Sequence, residues 1–302
     1  MLDILFLGTG ASVPSRDHGL PAVLVRSGPD TVLLDCGEGT QRQIMVSPYS
    51  FMRIGGIFIT HLHGDHFYGL PGLIQTMGMM GRKDRLIVRG PEGTAAAVET
   101  VLSICPGDLE FELDVEDMPP GDSVTVGALT VSCFATDHGV VSQGYIVKEP
   151  DVRGKVDAAK AESLGISGKD FSVLEDGGTV NGVTLGDICE PMRKGKVLAY
   201  TGDTRPCETV SEAVRGADVL IHEATYTKAQ VAKAEEFLHS TAAQAAATAR
   251  DCGCGALFLV HISNRYKDRN ECLKEAAEIF PATYVPSDLS VYKTTKRGIR
   301  SV

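Results

Sequence analysis

The chain has 302 residues, with 29 Lys and Arg against 39 Asp and Glu, a formal net charge of −10, and 43% hydrophobic content. That balance excludes wholesale disorder, and at roughly 150 residues per domain the length allows one large domain or two small ones. The acidic charge argues against a general nucleic-acid coat, because phosphate binding rests on Lys and Arg, yet it leaves room for a localised basic surface.

No uncharged apolar run approaches the roughly 18 residues of a membrane span, so no membrane partner is expected. The opening MLDILFLGTG carries Asp3 where a secretory signal carries a base, and it reads as a first strand. Eight cysteines (36, 105, 133, 189, 207, 252, 254 and 272) are scattered along the chain. The tightest pair, Cys252 and Cys254, has the wrong spacing for CxxC chemistry. Reduced thiols in a cytoplasmic protein are the expectation.

Short β-branched runs at 3–7, 22–26, 31–35 and 57–60 predict strands, the last (IFIT) leading straight into a histidine cluster. Leu70, Leu73, Ile74 and Met77 lie at helical spacing and predict a helix over 68–80. Strands at 85–89, 129–135 and 144–148 and a helix at 94–104 follow. Residues 149–196 are rich in Gly and charge and poor in large apolar residues. They read as an inserted excursion holding a short helix near 156–164. Core patterning resumes at VLAYTGDT (197–204) and VLIHEAT (219–225). An Ala-rich helix capped by Ser240 or Thr241 runs to about Cys252. A strand at 256–261 and a helix near 269–279 close the pattern, and 293–300 is a basic run that reads as a solvated tail or a phosphate contact. Strands in two groups with helices in both halves predict an α/β (α+β) protein of two helix-covered sheets, each able to lend loops to one site.

Three of only eight histidines lie in HLHGDH, residues 61–66. A strand delivering this loop to a sheet edge lets His61 and His63 clasp one metal ion, while Asp65 and His66 reach a second. Zn²⁺ prefers imidazole and carboxylate donors, and a catalytic site keeps one position open for water. Four ligand-type side chains in six residues favour a metal centre over a solvated turn. Of the remaining histidines, His222 reads as structural and His18 as an exposed loop residue.

HxHxDH after a hydrophobic strand resembles the metallo-β-lactamase superfamily, an αββα sandwich with a dinuclear metal site. The later ligands of that family match His138 in ATDHG, Asp203 in YTGDT and His261 in LFLVH. The resemblance implies that His61, His63 and His138 hold one metal, that Asp65, His66 and His261 hold the other, and that Asp203 bridges them. From Leu2 to Tyr292 the chain is most similar to short-form ribonuclease Z, the tRNA 3′-processing endonuclease. FLGTGASVP (6–14), LLDCGEGTQRQ (33–43), HLHGDHFYGLPGL (61–73), YTGDT (200–204), HEAT (222–225) and HST (239–241) carry that likeness. It implies a single domain over 1–302 with a protruding substrate-binding arm at 149–180, two Zn²⁺ per subunit with Mn²⁺ or Fe²⁺ as substitutes, precursor tRNA as substrate, and a homodimer. Two positions depart from the family. Its PxKxRN loop appears as Pro14-Ser15-Arg16-Asp17-His18-Gly19, and the Gly-Pro pair of the arm as Gly168-Lys169.

The implied reaction is removal of the 3′ trailer by a hydroxide held between the two metals, leaving a 3′-hydroxyl on the tRNA. Asp65 is placed to orient or deprotonate the water, and His239, steadied by Glu223, to protonate the leaving oxygen. Arg16 and a cationic face of Lys155, Lys160 and Lys169 are the candidate RNA contacts. Two rival readings stand beside this one: a metallohydrolase of small substrates on the same fold, and a non-catalytic RNA-binding scaffold. Cleavage of a 3′-extended tRNA against a thioester separates the first, and metal stoichiometry the second.

Overall fold

The computed structural model describes residues 1–104, 109–296 and 298–302. Cys105 and Arg297, which the sequence reading counted among the thiols and the basic run, lie outside the described residues. Among the described residues, no helix is long and apolar enough to cross a membrane, and Cys36, Cys133, Cys189, Cys207, Cys252, Cys254 and Cys272 are free.

The polypeptide divides into two compact units, Met1–Glu149 with Lys196–Val302, and Pro150–Gly195. In the larger unit the described strands form two sheets. The first has eight strands, in the order Gly298–Ser301, Val291–Thr295, Asp3–Gly8, Ala22–Ser27, Asp30–Leu34, Ile54–Phe58, Leu86–Gly90 and Leu113–Asp117. The second has seven, in the order Thr283–Tyr284, Leu257–Val260, Val219–Glu223, Val197–Tyr200, Gln143–Lys148, Leu129–Ala135 and Ser123–Val126.

Strict alternation along the first strand shows how the layers arise. Leu2, Ile4 and Phe6 pack with Tyr145, Leu198, Val219 and Phe258 of the second sheet. Leu5 and Leu7 face the other way, onto Ile44, Leu70, Leu73, Ile74 and Met77 of the covering helices. Successive side chains of a strand point to opposite faces, and here both faces are buried, which is why DILFLG reads as a continuous apolar run. The second sheet repeats the plan: Leu220, Leu257 and Leu259 pack against Ala242, Ala245, Ala246 and Ala249 of the helix Ala242–Asp251. Thr241 caps that helix through Gln244 in a capping box. The layers are therefore helix, sheet, sheet, helix, the predicted αββα sandwich.

The structure adds to the sequence reading in several places. The helix expected over 68–80 is present as Leu70–Met79, and a separate short helix, Gly64–Phe67, precedes it. They part at Gly69, where a Cβ would stand 2.1 Å from the Gly37 carbonyl oxygen. The strands Leu113–Asp117 and Ser123–Val126 went unpredicted because, as outermost strands, they carry polar and exposed side chains. The described residues of the basic run at 293–300 are not a tail: they lie in or beside the strands Val291–Thr295 and Gly298–Ser301, with Lys293 opposite Asp3 in the ladder. The excursion expected over 149–196 is the unit Pro150–Gly195, which bridges from Val152 to Arg193 and from Val156 to Cys189 close, so it is longer than the 149–180 that the resemblance implied for the arm. It holds helices Ala158–Ser163 and Asp170–Glu175 and a small core of Ala161, Ile166, Leu174, Val183 and Ile188.

One buried cation organises the turn after the helix Leu70–Met79. The Arg82 guanidinium, 3% exposed, donates to the carbonyls of Asp84, Ile54 and Arg85 at 2.8 Å and of Met52 at 3.3 Å. Removing such a donor strands several buried acceptors at once, each costing about 1–3 kcal/mol. Arg82→Leu is expected to destabilise the protein by about 3–5 kcal/mol, read as a lower urea midpoint with an unchanged slope.

Candidate metal centre

Seven donor residues converge past the carboxyl ends of strands from both sheets. The first sheet supplies His61, His63, Asp65 and His66, on the loop and short helix after Ile54–Phe58. The second supplies His138 after Leu129–Ala135, Asp203 after Val197–Tyr200 and His261 after Leu257–Val260. Open α/β sheets commonly place ligand sites beyond carboxyl strand ends. The approach is close: at Gly202 (φ 61°) a Cβ would stand 2.7 Å from Thr60 Cβ. Ser12, Asp35, Leu238 and His261 also adopt left-handed backbone, with φ between 54 and 58°. Such strained positions concentrate at functional sites.

His61, His63 and His138 form one group of donor atoms and Asp65, His66 and His261 another, while Asp203 joins His61 and His66 in a third. Within each group the atoms lie within 4.8 Å of one another. His261 Nε2 stands 3.3 Å from both Asp65 Oδ2 and Asp203 Oδ2. His66 Nε2 stands 3.6 and 3.5 Å from the same two oxygens, and His63 Nδ1 3.0 Å from His61 Nε2 and 3.4 Å from His138 Nε2. Donors each about 2.0–2.1 Å from a tetrahedral zinc stand about 3.3 Å apart. These spacings therefore suit shared cations.

Two buried carboxylates orient the imidazoles. Asp35 accepts from His66 Nδ1 (2.7 Å), Thr60 Oγ1 (3.0 Å), the Tyr200 hydroxyl (2.7 Å) and the Thr60 amide (2.7 Å). Thr60 Oγ1 in turn lies 3.0 Å from His61 Nδ1. Glu223 accepts from His239 Nδ1 (2.7 Å) and Thr225 Oγ1 (2.7 Å), and Thr225 Oγ1 lies 2.9 Å from His261 Nδ1. Because each threonine hydroxyl donates to its carboxylate, it accepts from its histidine. That fixes the tautomer and turns Nε2 of His61 and His261 toward the cluster. His138 Nδ1 donates to the Leu238 carbonyl (3.2 Å), with the same result.

The donor set is short of positive charge. His66 Nε2 and Asp203 Oδ1 are buried with no hydrogen-bond partner. Burial alone would push the Asp203 carboxyl up, but His261 and His66 outweigh it and hold it well below the usual range. Burial would likewise lower His66, yet Asp203 and Asp35 drive it well above the ordinary imidazole value. Burial and the neighbouring His66 keep His61 neutral. Buried carboxylates pulling a proton onto an imidazole, beside two orphaned donor atoms, fit residues that accommodate metal cations. The clusters are capable of binding metal.

His239 sits beside this group and stacks with His261 at 5.5 Å between ring centroids. Burial lowers its affinity for a proton, but the Glu223 carboxylate more than compensates and raises it to about 9. It also falls within reach of His138 and Asp203, although Glu223 occupies its Nδ1. Arg16 is exposed on the loop after Ser12, and Lys155, Lys160 and Lys169 are exposed residues of Pro150–Gly195. His222 is buried, with Nδ1 2.8 Å from the Glu223 carbonyl. His18 is not the exposed residue expected: it is half-buried, with Nδ1 3.7 Å from Asp288. Sequence reasoning missed Asp35, Thr60, Thr225 and Ser12, whose amide donates to Asp65 Oδ2 at 2.9 Å. Asp35 was within view in LLDCGEG, as an acid directly after the apolar run of Val32, Leu33 and Leu34.

The β-lactamase superfamily domain matches residues 30–262. Ribonuclease Z of Methanosarcina acetivorans is 41% identical over 295 residues, covering 96% of this chain and 97% of that protein. Ribonuclease Z of Bacillus licheniformis is 38% identical over 301 residues, covering 95% and 97%. Among solved structures, the short form of human tRNase Z superposes with a TM-score of 0.71 at 29% identity, over 96% of this chain and 98% of that one.

Asp35 holds His66 directly and His61 through Thr60, so its charge supports two donors at once. Asp35→Asn is expected to lower metal affinity about 10–100-fold, measured by competition with a chromophoric chelator, while the far-ultraviolet spectrum stays that of the parent.

Proposed function

The chain belongs to the ribonuclease Z family of the β-lactamase superfamily, and on that premise we propose that it is a metal-dependent endoribonuclease that removes the 3′ trailer from precursor tRNA. The observation that carries the reading is His239, at the start of the HST loop. It lines the cavity beside the cluster and is held by Glu223. A carboxylate-raised imidazole at that place is a proton donor at neutral pH, which hydrolysis of a phosphodiester requires at its leaving oxygen.

His61, His63 and His138 would hold one cation, Asp65, His66 and His261 a second, and Asp203 would serve both. Two Zn²⁺ ions suit the imidazole and carboxylate donors, and Mn²⁺ or Fe²⁺ fit the same set. When bound, the ions supply charge to the phosphate oxygens and acidify water. The chain's own groups do the rest. Asp65, fixed by the Ser12 amide, orients the attacking water and accepts its proton. His239 Nε2 delivers a proton to the ribose 3′ oxygen, which leaves the tRNA with a 3′-hydroxyl. Glu223 keeps His239 charged before the transfer and turned toward the cavity.

The remaining roles complete the reading. Arg16 contacts the acceptor end. The unit Pro150–Gly195 serves as the arm, its exposed Lys155, Lys160 and Lys169 meeting tRNA phosphates. A homodimer lets the arm of one subunit hold the tRNA cut by the other, and the cytoplasm supplies the substrate.

His239→Ala is expected to keep the full metal content and to slow cleavage of a defined pre-tRNA by about 10²–10⁴-fold. Near-normal turnover would remove the proton-donor role. Alanine at Lys155, Lys160 and Lys169 together should weaken tRNA binding and flatten the logarithmic salt dependence by about three contacts, and an unchanged slope would clear the arm of that task.

A further inference from the structure

Two cavities of similar size flank the donor cluster and share a wall. One, of about 350 Å³, is lined by His138, Asp203, Phe237 and His239. The other, of about 370 Å³, is lined by Pro14, Leu20, Glu38 and Tyr68. Ser12, His63 and Asp65 belong to both. These volumes lie near the lower end of the roughly 300–1,000 Å³ of small-molecule sites, so each cavity has room for a single nucleoside.

Each cavity presents one exposed aromatic ring outside every buried core: Phe237 is 53% exposed and Tyr68 69%. The Tyr68 ring rests against Gly64, where a Cβ would approach its Cε2 to 2.4 Å. The histidine loop therefore steadies one part of the ring while much of it faces solvent. Phe237 ends the helix Val231–Glu236 and is followed by Leu238 in left-handed backbone, the turn that also delivers His239. Neither cavity is lined by Lys or Arg, and outside the donor residues and His239 the charged lining side chains are Glu38 and Glu236. Away from the centre itself such walls offer a phosphate no cation, while a base finds an aromatic face on which stacking is favourable.

We propose that the two cavities hold the nucleosides on either side of the scissile phosphate with a fixed polarity: the base of the last retained nucleotide stacks on Phe237 and the base of the first trailer nucleotide stacks on Tyr68. The inference rests on reading the chain as a tRNA 3′-end nuclease. In an in-line displacement the water oxygen bonds to phosphorus as the P–O3′ bond breaks on the opposite side. The electron pair of that bond leaves with O3′, which takes a proton from His239, and Asp65 takes the proton shed by the water. The phosphate stays on the trailer. His239 lines the Phe237 cavity and not the Tyr68 cavity. The ribose carrying O3′ therefore belongs with Phe237, and the trailer belongs with Tyr68.

The test pairs each ring with each base. Pre-tRNAs abasic at the first trailer position or at the last retained position are cut by the parent, by Tyr68→Ala and by Phe237→Ala. The first abasic substrate should lose about 5–100-fold in kcat/KM with the parent and less than twofold with Tyr68→Ala. The second should show the same relation to Phe237→Ala, and Tyr68→Phe should behave as the parent. Independently of turnover, 2-aminopurine at the first trailer position should be quenched on binding to the parent and to Phe237→Ala but not to Tyr68→Ala. A swapped pattern overturns the polarity, and losses that simply multiply overturn the stacking. Failure of the parent to cut the unmodified pre-tRNA overturns the inference together with the function on which it rests, and that outcome is distinguishable from the other two.

Discussion

The centre depends on two buried carboxylates that do not themselves face it. Asp35 in one half of the chain and Glu223 in the other are each almost fully buried. Each grips one histidine directly and a second through a threonine hydroxyl, Asp35 with His66, Thr60 and His61 and Glu223 with His239, Thr225 and His261. A carboxylate without charge compensation is costly to bury, so these groups hold protons on the outer nitrogens of their imidazoles and turn the inner nitrogens toward the centre. The same device occurs once in each sheet layer. In the first it prepares two donors, and in the second it prepares one donor and one charged imidazole.

The charge distribution follows the same logic. A chain of net charge −10 is a poor generic binder of RNA, and the walls beside the cluster are acidic too. Attraction for a phosphate is therefore confined to the place where buried Asp203 and partly buried Asp65 would share cations with the histidines. This favours selection of one phosphate in one register over adhesion along a backbone.

Much of the fold was legible because its strands are buried on both faces and stand out as apolar runs. Strands that border the sheets were not, since LDVED and SVTV gain from main-chain pairing what they lack in side-chain burial. The donor residues were legible because HLHGDH concentrates them and because the resemblance supplied His138, Asp203 and His261. Thr60 and Thr225 were invisible for a physical reason. A threonine next to a histidine or an acid is common, and only the folded backbone reveals that its hydroxyl relays one to the other. His18 was misread because its partner Asp288 lies 270 positions away.

Pairing of the strand Asp3–Gly8 with Val291–Thr295 bears on synthesis. Ribosomes release the amino-terminal strand long before its neighbour exists, so its outer ladder waits for nearly the whole polypeptide, and contacts of such sequence separation form slowly. His261 arrives almost as late. A nascent chain thus carries an incomplete set of donors until His261 has been made, so the centre closes only once strands of both sheets are in place.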